Sequence, residues 1–75
     1  MSHSSAEKLV KMANQIGTFF ASQKHSDPVA GTANHLSKFW DPRMRQGIIA
    51  HVKEGGAGLD PVPLEAVKSL VAAAK

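Results

Sequence analysis

The sequence predicts an all-α fold, a compact set of three to four short helices joined by Asp-Pro and Gly-rich turns. Three observations carry this expectation. Asp-Pro steps recur at Asp27-Pro28, Asp41-Pro42 and Asp60-Pro61. Apolar residues between them return every three to four positions, the period of an amphipathic helix. No stretch alternates with the period of two that marks a half-buried strand. An Asp-Pro step suits a helix start for a simple reason. The carboxylate accepts backbone N–H groups that have no partner, and proline at the first helical position has no N–H to leave orphaned. The aspartate also complements the positive end of the helix dipole.

The first helix lacks such a step and starts at Ser4-Ser5-Ala6-Glu7, a capping box with Ser4 as cap and Glu7 reaching back. Leu9, Met12, Ala13, Ile16, Phe19 and Phe20 then form one apolar stripe. Residues 22–26 read as a polar connection. The second helix spans about residues 28–39, with Val29, Ala33, Leu36, Phe39 and Trp40 on one side. Gly31 loosens its first turn, by about 1 kcal/mol relative to alanine.

Pro42 pushes the preceding residue out of the α region, which ends this helix near Phe39 or Trp40. The third helix carries Met44, Ile48, Ile49 and Val52 and stops at Gly55-Gly56, a left-handed C-cap. The fourth starts at Asp60. Leu59 before the cap and Leu64 in the first turn have the spacing of a hydrophobic staple, and Val67, Leu70 and Val71 complete its apolar side.

The whole chain, residues 1–75, is expected to be one helical domain, frayed at 1–4 and 72–75. Its core is thin. Hydrophobic residues make up 43%, but 11 of these 32 are alanine, and the four aromatics fall in two adjacent pairs, Phe19-Phe20 and Phe39-Trp40. A large pocket with rigid walls is hard to build from that inventory, which disfavours a self-contained cofactor enzyme. With no cysteine, the chain has no disulfide framework, thiolate zinc site, iron–sulfur cluster or thiol nucleophile. The same absence favours a reducing compartment. The N-terminus has no basic start or apolar run, and the longest apolar stretch is Leu70 to Ala74. A cytoplasmic protein without a membrane span is expected.

Formal charge +3 and a pI near 9.6 raise nucleic-acid binding as an alternative. The nine basic residues are scattered, however, and the densest group, Lys38, Arg43 and Arg45, is diluted by Asp41. No nucleic-acid partner is expected. His3, His25, His35 and His51 contain no i, i+3 or i, i+4 pair, so none is read as a metal ligand. Gly55, Gly56 and Gly58 lack the Lys-Ser/Thr of a phosphate loop, and Asp60 puts negative charge where phosphate would sit. The aspartates are read as caps, and Glu7, Glu54 and Glu65 as lying in solvated turns. No catalytic, cofactor-binding or metal residue is predicted.

The informative segment is residues 39–45, which holds the only tryptophan, an adjacent phenylalanine, two arginines and a methionine. Aromatics, Arg and Met are enriched at the centres of protein interfaces. Phe39, Trp40, Arg43 and Arg45 are therefore the candidate partner-interface residues, with at least one of Phe39 and Trp40 also needed by the core. The two arginines, two apart on a helix, point in different directions.

Several stretches carry a family resemblance: Lys11 to Ile16, Phe19-Phe20, Val29-Ala30-Gly31, His35-Leu36, Phe39 to Arg45, and Gly55 to Pro61. Together they resemble the delta subunit of soluble NAD-dependent formate dehydrogenases. The resemblance implies a non-catalytic accessory subunit supporting assembly or stability of a bacterial complex that oxidises formate to carbon dioxide. It implies partners too, the large (alpha) subunit and the other subunits. These would hold the molybdenum or tungsten pterin, the iron–sulfur clusters and the FMN, and use NAD, with no cofactor in this chain. A maturation or chaperone-like factor for that enzyme is the alternative, and self-association stays open.

Overall fold

Four helices follow one another in the computed structural model, which describes residues 3–23 and 27–73. They are α1 (His3–Ala21), α2 (Pro28–Phe39), α3 (Pro42–Lys53) and α4 (Pro61–Ala73). The described residues contain no strand. Three of the helices begin at the proline of an Asp-Pro step, as the local chemistry requires. Asp27 accepts the Val29 and Ala30 N–H groups at 3.0 and 3.2 Å, and Asp41 accepts the Met44 N–H at 2.9 Å. Trp40 and Asp41 are both extended, so the chain turns sharply between α2 and α3 without a loop.

Two caps differ from expectation. Helix α1 begins at His3, which places Ser4 inside the helix. The backbone at Ser4 is therefore helical rather than extended, and the Ser4 side chain of the expected capping box lies outside the described residues. At Asp60 the main-chain carbonyl accepts the Leu64 N–H at 3.0 Å, but among the described residues its carboxylate holds no N–H of the first turn. Pro63, at the third helical position, removes one of the two donors an aspartate cap reaches and leaves only the Val62 N–H.

The end of α3 matches its sequence signature closely. Gly55 and Gly56 have φ of 121° and 68°. The Gly56 N–H donates to the His51 carbonyl at 2.9 Å and the Gly55 N–H to Val52 at 3.0 Å, the paired bonds of a Schellman motif. Leu59 and Leu64 both lean over Gly56, consistent with the staple spacing.

Helices α1 and α4 pack against each other and against both remaining helices, whereas α2 and α3 scarcely meet. The α1–α4 pair is thus a central layer flanked by α2 and α3, and α2 lies mainly along α4. The core at this junction consists of Ala13, Leu36, Trp40, Ile48 and Val67, all buried, with Leu9, Val10, Ile16, Met44, Ile49, Val52, Leu59 and Leu70 packed around it. Small residues let the layers approach. A methyl group on Gly17 would lie 2.7 Å from Cδ of the buried Pro63, so α1 and α4 meet backbone to ring. Gly31, expected to loosen α2, instead receives the Phe20 ring, which would lie 2.6 Å from an added Cβ. The radius of gyration, 11.4 Å, matches the roughly 11 Å expected for a folded chain of this length.

The apolar stripes are narrower than the sequence pattern suggests. On α1, Leu9, Ala13, Ile16 and Phe20 face inward, while Met12 and Phe19 are 40% and 58% exposed. At about 100° per residue, Met12 and Phe19 fall together some 60–80° to one side of the stripe. On α2 the pattern is similar: Leu36 and Trp40 are buried, and Phe39 is 73% exposed.

Candidate interaction surface

The structure separates the four residues that sequence grouped as an interface. Trp40 sits in the core at 4% exposure, and its neighbour Phe39 projects outward. Arg45 folds back, its guanidinium donating to the Ser37 carbonyl at 3.2 Å and to the Trp40 carbonyl. It thereby covers carbonyls at the C-terminal end of α2, where a cation is also favoured by the helix dipole. Arg43 stays exposed on the first turn of α3. Of the four, Phe39 and Arg43 are exposed, while Trp40 and Arg45 hold the α2–α3 corner from which they project.

Phe39 is not isolated. Its ring lies 4.8 Å from the His35 imidazole, which is 6.2 Å from Phe20, which in turn meets Phe19 edge-on at 5.1 Å. Four rings from two helices therefore make one continuous run across the α1–α2 seam. Below it lies a depression of about 350 Å³ floored by Ile16 and Trp40 and edged by Met12, Phe19 and Phe20. A second hollow, about 270 Å³, opens on the other side of Met12 toward α3, between Lys8, Leu9, Arg43 and Met44. Met12 is the ridge shared by both. Met12, Phe19 and Phe39 are the exposed large apolar residues of the described chain, and all three lie along this seam.

Comparison with known families addresses the same chain. The model of the NADH-dependant formate dehydrogenase delta subunit FdsD matches residues 8–67, four-fifths of the sequence. The chain belongs to the FdsD family. It is a delta subunit of NAD-dependent formate dehydrogenase, and its partners are other subunits of that complex. No curated protein and no solved structure matches it.

This FdsD-family chain has a third concavity, on the opposite flank of α1, and it is built differently. About 570 Å³ lies between α1, α3 and the loop joining α3 to α4, lined by Glu7, Val10, Lys11, His51 and Glu54 among others. Here the loop is latched. The Asn14 amide donates to the Gly58 carbonyl and accepts the Asp60 N–H, both at 2.9 Å, and His51 Nε2 lies 2.7 Å from the Ala57 carbonyl. One side chain on α1 thus ties the loop to the residue that precedes α4. Sequence reasoning missed Asn14 because its partners are 44 and 46 residues away. It likewise missed Thr32, which is fully buried within α2 without a hydrogen-bond partner for its hydroxyl.

The remaining sequence candidates fall in place without converging. His35 belongs to the ring run and His51 to the latch, while His25 and the His3 side chain lie outside the described residues. Among the described residues no group of three or more His, Asp or Glu gathers as a metal site. Glu7 and Glu65 are in α1 and α4 rather than in turns, and both are exposed like Glu54. Glu65 pairs with Lys68 at 3.5 Å, a solvated contact of little energetic weight. No described helix is long and apolar enough to cross a membrane.

Proposed function

We propose that this delta subunit is a non-catalytic, cytoplasmic accessory chain that docks on the large subunit of formate dehydrogenase and stabilises the assembled complex. The observation that carries the reading is the exposed ring run on α1 and α2. A domain with three phenylalanines leaves Phe19 and Phe39 mostly in solvent, which costs burial energy unless another chain covers them. The donor chemistry supports the division of labour. With no cysteine this chain does not fit an iron–sulfur cluster, and its small core offers no enclosed site for a pterin or flavin. The molybdenum or tungsten pterin, the clusters and the FMN are therefore assigned to the other subunits, as is the use of NAD.

The test is co-expression of the tagged chain with the remaining subunits. Stoichiometric recovery of the whole complex, measured by intact mass, is the expected result. The complex assembled without this chain should lose formate oxidation faster on warming. An active complex that is equally heat-stable without the chain would remove the stabilising role. Transient, substoichiometric recovery would instead identify a maturation factor.

A further inference from the structure

The two hollows beside Met12 differ in polarity. The α1–α2 depression is lined by Met12, Ile16, aromatic rings and the polar Gln15 and His35, with no lysine, arginine or carboxylate among them. The α1–α3 hollow is bounded by Lys8 and Arg43 and contains no carboxylate. None of the chain's six acids lines it: Asp27 and Asp41 hold helix starts, Asp60 precedes α4, Glu7 and Glu54 line the loop-side concavity, and Glu65 faces Lys68. One end of the surface is thus mainly apolar, and the other apolar with two cations and no carboxylate in its lining.

A second copy of this chain is a poor occupant. A two-fold dimer through this face would set the patch against itself. Lys8 and Arg43 would then enter an interface whose lining offers them no anion, and desolvated charge without a counter-charge is unfavourable. A surface of opposite polarity satisfies both ends.

We propose that this face receives one amphipathic helix of a partner subunit, a bulky apolar residue entering the α1–α2 depression and a carboxylate lying over Lys8 and Arg43. The inference rests on the docking reading above and specifies its surface and its chemistry. Helices commonly bind such seams by laying an apolar face into the groove. Lys8 and Phe19 are 11 positions apart on α1, so the two recognition points are about 16 Å apart along its axis at 1.5 Å per residue. A partner helix aligned with α1 therefore carries its acidic and apolar anchors about three turns apart.

The test compares retention of the tagged chain by the other subunits, in low salt of about 0.1 M and in about 1 M salt, where screening is nearly complete. Phe19→Ser and Phe39→Ser remove exposed rings, and the double variant Lys8→Glu/Arg43→Glu reverses the charged end. Lys11→Glu, which alters charge on the loop side of α1, is the control. Thermal melting of each variant verifies folding. The expected result is loss of retention for either serine variant at both salt concentrations. The double charge variant should lose about ten-fold in affinity in low salt and approach wild type in high salt, with Lys11→Glu near wild type throughout.

Retention of the folded serine variants, or equal losses in Lys11→Glu and the double variant, overturns the proposal while leaving the docking reading intact. Wild-type chain that is never retained overturns both. If the isolated chain is a dimer that Phe19→Ser dissolves, a second copy occupies the face and the proposal fails.

Discussion

The two flanks of α1 present the same helix to different tasks. On the loop side, Asn14 and His51 tie down the α3–α4 connection, and the concavity there mixes Glu7, Lys11 and Glu54 with apolar Ala6 and Val10. On the ring side, Met12 and Phe19 stand exposed, with none of the described segments laid over them. One flank is finished within the chain and the other is left open. The lesson is that exposure of apolar groups here is a matter of helix rotation. Had α1 turned some 60° on its axis, Met12 and Phe19 would have entered the core and the docking surface would be gone.

The contrast predicts that substitutions sort into those that damage the fold and those that damage only docking. Trp40→Ala and Leu36→Ala should have the largest effect, about 3–5 kcal/mol and 2–5 kcal/mol of unfolding free energy. In a domain this small either loss consumes most of the stability, so denaturant melts should show a largely unfolded chain. Gly17→Ala should come next, at about 1–3 kcal/mol, although alanine is the better helix former. Its methyl group meets the buried Pro63 ring rather than a side chain free to swing away. A melt showing stabilisation would mean that α1 and α4 can separate at no cost.

Asn14→Ala should cost about 1–2 kcal/mol by leaving the Gly58 carbonyl and Asp60 N–H unpaired. It should also speed amide exchange at Asp60 with the docking surface unchanged, which an exchange measurement and a binding assay would separate. Asp27→Ala removes the carboxylate oxygen that accepts two N–H groups at the start of α2 and should cost about 1 kcal/mol in thermal melts. At the small end, Phe39→Ser should change stability by no more than about 0.5 kcal/mol while abolishing recovery with the other subunits. If it instead unfolds the chain, the ring run belongs to the core and the contrast between the flanks collapses.

How much of this was legible depended on range. Helix starts at Pro28, Pro42 and Pro61, and the glycine stop after Lys53, are written in two to four consecutive residues, and the structure follows them. Helical periodicity found the inward positions but over-read the stripe width, because Met12 and Phe19 are apolar yet rotated off the packing face. The segment 39–45 was recognisable as unusual from composition. What composition lacked was direction: only the turn at Trp40-Asp41 decides that the tryptophan goes in, the phenylalanine goes out and Arg45 curls back to α2. Asn14 was illegible because a long-range amide contact has no local signature, and Gly31 was misjudged because its use lies in the ring of another helix.

Trp40 is the sole tryptophan in a chain without tyrosine, and it forms part of the floor beneath the α1–α2 depression. Its indole therefore doubles as a built-in optical gauge. Ultraviolet emission from the free chain comes from one place, directly under the groove, and a tryptophan-free peptide entering that groove should shift its colour or intensity. Occupancy can then be titrated without a label attached to the surface being measured.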